Sequence, residues 1–200
     1  KPCLNWRQRV RAQALADYKK GLSKEGSKVM KTGMHVEKES GFVSSPDAII
    51  QSEDGKSIAC VLHIKCPTSR KDVGLDGEIM EKTKNVDNEG APIKKAKPLY
   101  VKRVPGKFIG EIPLYEFTHH KQARMYSSEM KFSMLVTKSP KAHLLVWTPS
   151  GHGVVEMMRD QLWEMQYRAV MAYFYERFLM PAAAKKDNFL ALRDDVNWFY

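Results

Sequence analysis

Cysteine is scarce in this 200-residue chain: there are three, Cys3, Cys60 and Cys66. Three thiols do not build a disulfide framework. They also fall short of the four thiolates that hold an iron–sulfur cluster. Long hydrophobic runs are missing too. No stretch approaches the roughly 18 apolar residues of a membrane-crossing helix, which excludes a transmembrane reading. Acids are in deficit: 23 Asp and Glu stand against 33 Lys and Arg, a net charge of +10. That balance implies a polyanionic partner, nucleic acid first. A basic amphipathic helix suited to an anionic membrane surface is absent. The chain opens on Lys1, which implies a fragment or a processed form, with no signal peptide to read. There is no internal repeat.

What remains is enough for a globular domain. Hydrophobic residues make up 43% of the chain, and 200 residues suit one domain with a core of its own. Thiols that fall on an apolar strand at Cys60 and Cys66 read as buried and reduced. That implies an intracellular setting, nucleus or cytoplasm.

Two neighbouring stretches carry chemistry. Gly41-Phe42-Val43-Ser44-Ser45-Pro46-Asp47-Ala48-Ile49-Ile50 and Cys60-Val61-Leu62-His63-Ile64-Lys65-Cys66-Pro67 read as two strands. The polar run Ser52-Glu53-Asp54-Gly55-Lys56 between them closes a hairpin. Period-two alternation puts His63 and Lys65 on one face, with Leu62 and Ile64 on the other. Pairing then gathers Asp47, His63 and Lys65 at one end of a sheet. A carboxylate there holds a divalent cation. The metal lowers the pKa of a bound water, and the lysine offsets charge that develops on the phosphate. This is a layout for cleaving phosphodiesters.

The rest of the chain supplies a frame. Residues 4–20 read as a helix with Val10, Ala14 and Tyr18 on one stripe, capped at Asn5 and stopped at Gly21. Residues 22–33 read as a loop with a short strand at Val29–Met30, and Met34–Glu37 leads into the hairpin. Residues 68–98 read as a long loop with one helical turn around 78–84. Its Arg70, Lys94, Lys95 and Lys97 are candidates for nucleic-acid contacts. A second hairpin is expected over 99–110, turning at Pro105-Gly106. Thr118 is the expected cap of a helix over 119–136, with Ala123, Tyr126, Met130 and Met134 on its apolar face. Residues 142–148 and 153–157 read as strands, the first buried on both faces. A long helix starts at Asp160 and is expected to end at Pro181, with Leu162, Trp163, Tyr167, Val170, Phe174 and Phe178 as its core face. Residues 185–200 form a tail.

The motif words resemble those of the PD-(D/E)xK nucleases, and more narrowly the lambda-exonuclease/YqaJ viral recombinase family. There the signature looks like Ser-Pro-Asp-Gly followed by Leu-Glu-Ile-Lys-Cys-Pro. Here it stands as Ser-Pro-Asp-Ala and Leu-His-Ile-Lys-Cys-Pro. Either half alone is weak; the pair is fairly specific. Trp6, Ala14 and Tyr18 keep the spacing of a family helix. Val146-Trp147-Thr148-Pro149, then Arg159-Asp160-Gln161-x-Trp163 and Phe174-Tyr175-x-x-Phe178-x-x-Pro181, extend the resemblance to about residue 181. Residues 68–117 are largely unaligned.

The resemblance implies an α/β fold with a restriction-endonuclease-like core. A central mixed sheet would carry the 41–66 hairpin and the 142–157 strands, flanked by helices near 4–20, 119–136 and 159–180. One domain would span 1–184, with a tail beyond. The resemblance also implies a Mg²⁺- or Mn²⁺-dependent DNA exonuclease that can assemble into a homo-oligomer. Asp47, His63 and Lys65 would fill the catalytic places, and Asp47, His63 and Glu37 would be the metal ligands. Three places depart from the family. His63 stands for a glutamate. Arg11 stands for a glutamate on the first helix. Glu129 and Lys131 stand for two glutamines on the helix facing the metal.

Three functional readings follow. One is a nucleic-acid-binding protein on a nuclease fold whose activity is weak or lost, because the replaced carboxylates leave positive charge where a cation must sit. At about 5 Å and an effective dielectric near 20, each unit like-charge contact costs roughly 3 kcal/mol. Another is an active exonuclease using His63 as a nitrogen ligand for a transition metal. The third is a scaffold module without catalysis. In the first reading Arg11 is expected to pair with Asp47 or Glu129 across the former metal site.

Overall fold

The structure is a computed structural model. It describes residues 2–22, 28–70, 72, 74–76, 80–86, 92–96 and 99–184. Two compact units are present, Lys1–Arg159 and Asp160–Tyr200.

The first unit begins with α1, Pro2–Gly21, and the short strands β1, Val29–Lys31, β2, His35–Val36, and β3, Val43–Ser44. Strands β4, Ala48–Gln51, and β5, Ile58–Lys65, follow. Next come β6, Met80–Val86, β7, Pro92–Ala96, β8, Val101–Ile109, and β9, Ile112–Phe117. Helix α2, Lys121–Thr137, leads to β10, Lys141–Thr148, and β11, Gly151–Met158. Seven strands form the central sheet in the order β1-β4-β5-β10-β11-β9-β8. The β5–β10 and β11–β9 pairs are parallel and the others antiparallel, so the sheet is mixed, as expected.

Both faces of the sheet are covered. Ala14 and Tyr18 of α1 cluster with Leu62, Ile64, Leu145 and Trp147. Met130 and Met134 of α2 cluster with Val61, Leu144 and Val146. Alternation along β5 and β10 splits the two sets, which is why β10 is apolar on both faces. A polar tie fixes α1 to the sheet: the Trp147 indole donates to Asp17 Oδ2 at 2.7 Å.

Several expectations change. The run 41–50 is two strands, not one: β3 pairs with β2 in a separate ribbon, and β4 joins the main sheet. Pro46 sits at the break, where a ring without an N–H ends ladder pairing. The helical turn expected at 78–84 is strand β6, paired with β7. Met80-Glu81-Lys82-Thr83-Lys84-Asn85-Val86 offers no apolar stripe at helical spacing. Between those two strands lie residues outside the described set.

The second hairpin turns at Gly110-Glu111, and Pro105-Gly106 lies inside β8, where the register slips between Arg103 and Phe108. Strand β8 is a sheet edge, and a bulge on an edge strand tolerates a proline. The α2 cap is His120, whose ring nitrogen accepts from the Gln122 N–H. Thr118 instead donates to the Leu99 carbonyl.

In the second unit, α3, Gln161–Phe174, runs into a wider turn over Tyr175–Leu179 and on into α4, Met180–Ala184. The helix therefore passes Pro181 instead of ending there. The Met180 N–H reaches back five residues to the Tyr175 carbonyl. That widened turn accommodates a proline that cannot donate. Leu162 and Val170, expected in the core, are 65% and 64% exposed. Residues 185–200 lie outside the described set. Among the described residues no helix is long and apolar enough to cross a membrane.

Candidate functional site

Asp47 stands at the entrance of β4. Its N–H bonds the Leu62 carbonyl at 2.9 Å, and its Oδ2 accepts the Ile64 N–H at 2.7 Å. The carboxylate is thus fixed beside the backbone that leads to Lys65. Its other oxygen, Oδ1, lies 3.1 Å from Arg11 Nη1 on α1. Arg11 therefore holds the motif aspartate.

His63 and Lys65 project toward α2 and meet Glu129. Lys65 Nζ is 2.9 and 2.7 Å from the two Glu129 oxygens. His63 Nδ1 lies 3.2 Å from Glu129 Oε1. The other ring nitrogen, Nε2, is 2.9 Å from Ser133 Oγ, which is 2.7 Å from Ser44 Oγ. A consistent proton assignment runs through this chain. Nδ1–H donates to Glu129, and Nε2 accepts from Ser133, which accepts from Ser44. Burial works against charge on Glu129. The hydrogen bonds from His63 and Lys65, with the positive charge of Lys65, outweigh it and hold the carboxyl at about 2. The Lys65 ammonium also sits 4.7 Å above the Tyr126 ring centroid.

A cleft of about 440 Å³ opens beside this cluster. Arg11, Lys65, Arg70, His120 and Gln122 line its polar side, while Leu99, Tyr100 and Tyr126 line another. Among the described residues no acidic side chain lines it. Arg70 is only 4% exposed, on a single turn, Thr68–Arg70, just after β5.

The remaining predicted residues fall elsewhere. Glu37 is buried and accepts from the Ser40 hydroxyl within its own turn. Lys131 is on α2 but does not line the cleft. Lys94 and Lys95 belong to β7, and Lys97 lies outside the described residues. Ser44, Ser133, His120 and Tyr100 escaped the sequence reading as site residues. Ser133 carried a signal, since it follows Glu129 by one helical turn and so shares its face.

A second buried relay lies on the α1 face of the sheet. Tyr18 Oη is 2.5 Å from His143 Nδ1, and His143 Nε2 is 3.0 Å from Glu156. The His143 hydrogen bond, against a smaller effect of burial and helped by Lys141, holds Glu156 at about 2. Cys60 lies nearby, and desolvation pushes its thiol up to about 12.

Magnesium favours octahedral oxygen coordination. Both carboxylates that touch motif residues already hold cations of the chain, and both His63 nitrogens have partners. Among the described residues no three His, Cys, Asp or Glu side chains are grouped to hold a metal ion. The side chains at this corner do not fit a hydrated magnesium ion.

The fold is a mixed α/β domain whose seven-stranded sheet is covered on both faces. No family model matches the chain, and no curated protein matches it. Solved structures do. An alkaline exonuclease, LHK-Exo, from Laribacter hongkongensis superposes with a TM-score of 0.52 at 14% identity, over 92% of this chain and 73% of the exonuclease. LHK-Exo in complex with dAMP gives a TM-score of 0.52 at 14% identity, over 93% and 72% of the two chains. At that identity the likeness is one of fold.

Proposed function

We propose that this chain is a divergent relative of the lambda-exonuclease/YqaJ nucleases that binds nucleic acid and has weak or lost hydrolytic activity. One observation carries the reading. Asp47 and Glu129, the carboxylates that touch the motif, are held by Arg11 and by Lys65. A carboxylate held by a guanidinium is a poor ligand for a cation, and the guanidinium repels that cation. The net charge of +10 and a cleft with no acid among its described lining residues favour a polyanion. That an exonuclease of the same fold binds dAMP is in keeping with this. The proposal includes an intracellular location, supported by the buried free thiols Cys60 and Cys66.

The test is purified protein with linear duplex DNA, in Mg²⁺ and separately in Mn²⁺, beside Lys65→Ala. Salt-sensitive retention of DNA without digestion is expected. Digestion abolished by Lys65→Ala overturns the reading in favour of an active exonuclease. One observation favours that alternative: Asp47 is bonded to the N–H of Ile64, so the motif acid and lysine remain adjacent. Absence of retention even at low salt would leave the scaffold reading.

A further inference from the structure

We infer that the cleft is a metal-free receptor for a nucleic-acid phosphate, in which Arg11 takes the place of a divalent cation. This deepens the nucleic-acid reading and rests on it for the identity of the ligand.

Three permanent cations, Arg11, Lys65 and Arg70, line the cleft, and among the described residues no carboxylate does. They are not equally available. Lys65 is engaged by both oxygens of Glu129 and by the Tyr126 ring. Arg11 is different: its side chain is 52% exposed, and Asp47 takes the Nη1 end of the fork. A guanidinium carries five N–H donors, so donors remain for a phosphate oxygen. Asp47 is itself anchored on the Ile64 N–H, so it holds the arginine in place. Such an arm is pre-ordered, and the planar fork suits two phosphate oxygens.

Arg70, at 4% exposure, is nearly enclosed and has partners of its own, so it serves as cleft wall. His120 adds a neutral donor. Its Nδ1 accepts the Gln122 N–H at 3.2 Å, so in the neutral ring the proton sits on Nε2. The cleft, at about 440 Å³, is on the scale of a small ligand and admits one nucleotide rather than a base pair. A phosphate placed there meets the remaining donors of a pre-ordered Arg11 directly, without a bridging metal.

The test uses fluorescence anisotropy with a labelled short single-stranded oligonucleotide, and inorganic phosphate as competitor. Binding is expected to be equal in EDTA and in Mg²⁺. Arg11→Gln is expected to weaken it on the order of tenfold, the scale of one charge-assisted hydrogen-bonding group. Arg11→Lys is expected to recover part of the loss. Phosphate should compete with wild type and poorly with Arg11→Gln. Binding that appears only with Mg²⁺, or that is indifferent to Arg11→Gln while the thermal midpoint is unchanged, overturns the inference. Retention of long duplex DNA is measured in parallel. If it persists while the Arg11 variants have no effect, the inference fails and the nucleic-acid reading stands. If duplex and oligonucleotide are both ignored while inorganic phosphate binds through Arg11, the site stands and the nucleic-acid reading fails.

Discussion

Lys65 on β5 and Glu129 on α2 meet through both carboxylate oxygens, with Nζ 2.9 Å from Oε1 and 2.7 Å from Oε2. The pair is a strut between sheet and helix. It also sets the chemistry of the corner. A lysine so engaged donates poorly to a passing phosphate, and a carboxylate so engaged holds a metal poorly. His63 closes the arrangement by taking Glu129 on one ring nitrogen and Ser133 on the other.

Glu129→Gln keeps the shape and removes the charge. Because Lys65 and Glu129 are 21% and 40% exposed, water screens the pair. A loss of roughly 1–2 kcal/mol is expected, between the values for exposed and for buried pairs. Urea unfolding reads this as a lower midpoint at constant slope. An unmoved midpoint would mean that the strut adds nothing to stability.

Acid should weaken the fold through two carboxylates. Glu129 and Glu156 are both held at about 2, below their usual 4.5. A depressed folded-state pKa gives stability that is present above 4.5 and is lost as pH falls from there toward 2. Thermal midpoints of wild type should fall through that window. The double variant Glu129→Gln/Glu156→Gln should start lower and fall less. Parallel curves would show that these two groups do not drive acid unfolding.

Binding to DNA should fall steeply with salt, because each neutralised phosphate releases counterions. Charge reversal of Lys94, Lys95 and Lys97 should lower the slope of log affinity against log salt by about one for each phosphate that these lysines neutralise. A slope unchanged from wild type removes the β6–β7 hairpin from the interface.

Arg11→Glu with His63→Glu places two carboxylates at the corner and removes the guanidinium from Asp47. Calorimetry should then show Mg²⁺ binding that wild type lacks, since oxygen ligands suit that ion. No heat of binding in the double variant would mean that the pocket differs from a metal site in shape as well as in charge.

Gly110 closes the β8–β9 hairpin with φ +58, and an added Cβ would run into the Gly21 carbonyl oxygen at the end of α1. Gly110→Ala therefore meets both backbone strain and a clash with main chain. A loss of more than about 2 kcal/mol is expected, as for substitutions that strain a special backbone site. Gly106→Ala, at φ +69 in open space, meets strain alone and should lose about 1 kcal/mol. Equal midpoints for the two variants would mean that the α1 contact is relieved by a small shift.

Local pattern in the sequence was enough for the parts governed by period and composition. Alternation along 58–65 put His63 and Lys65 on one face and Leu62 and Ile64 on the other, because side chains on a strand must alternate. The apolar run from Ala142 to Val146 required cover on both sides. The stripe of Val10, Ala14 and Tyr18 marked the buried face of α1.

Tertiary structure decided the pairings. Whether Arg11 would take Asp47 or Glu129 depended on the reach of a side chain from α1 to the entrance of β4, and no sequence period encodes that. Lys65 and Glu129 are 64 residues apart, and their contact exists only because α2 lies across β5. The second hairpin likewise turns at Gly110-Glu111 and not at Pro105-Gly106, where the register slips instead. A Pro-Gly dipeptide satisfies either role locally. The choice fell to pairing along β9, and to the Glu111 N–H, which bonds the carbonyl of Gly21 at 3.0 Å.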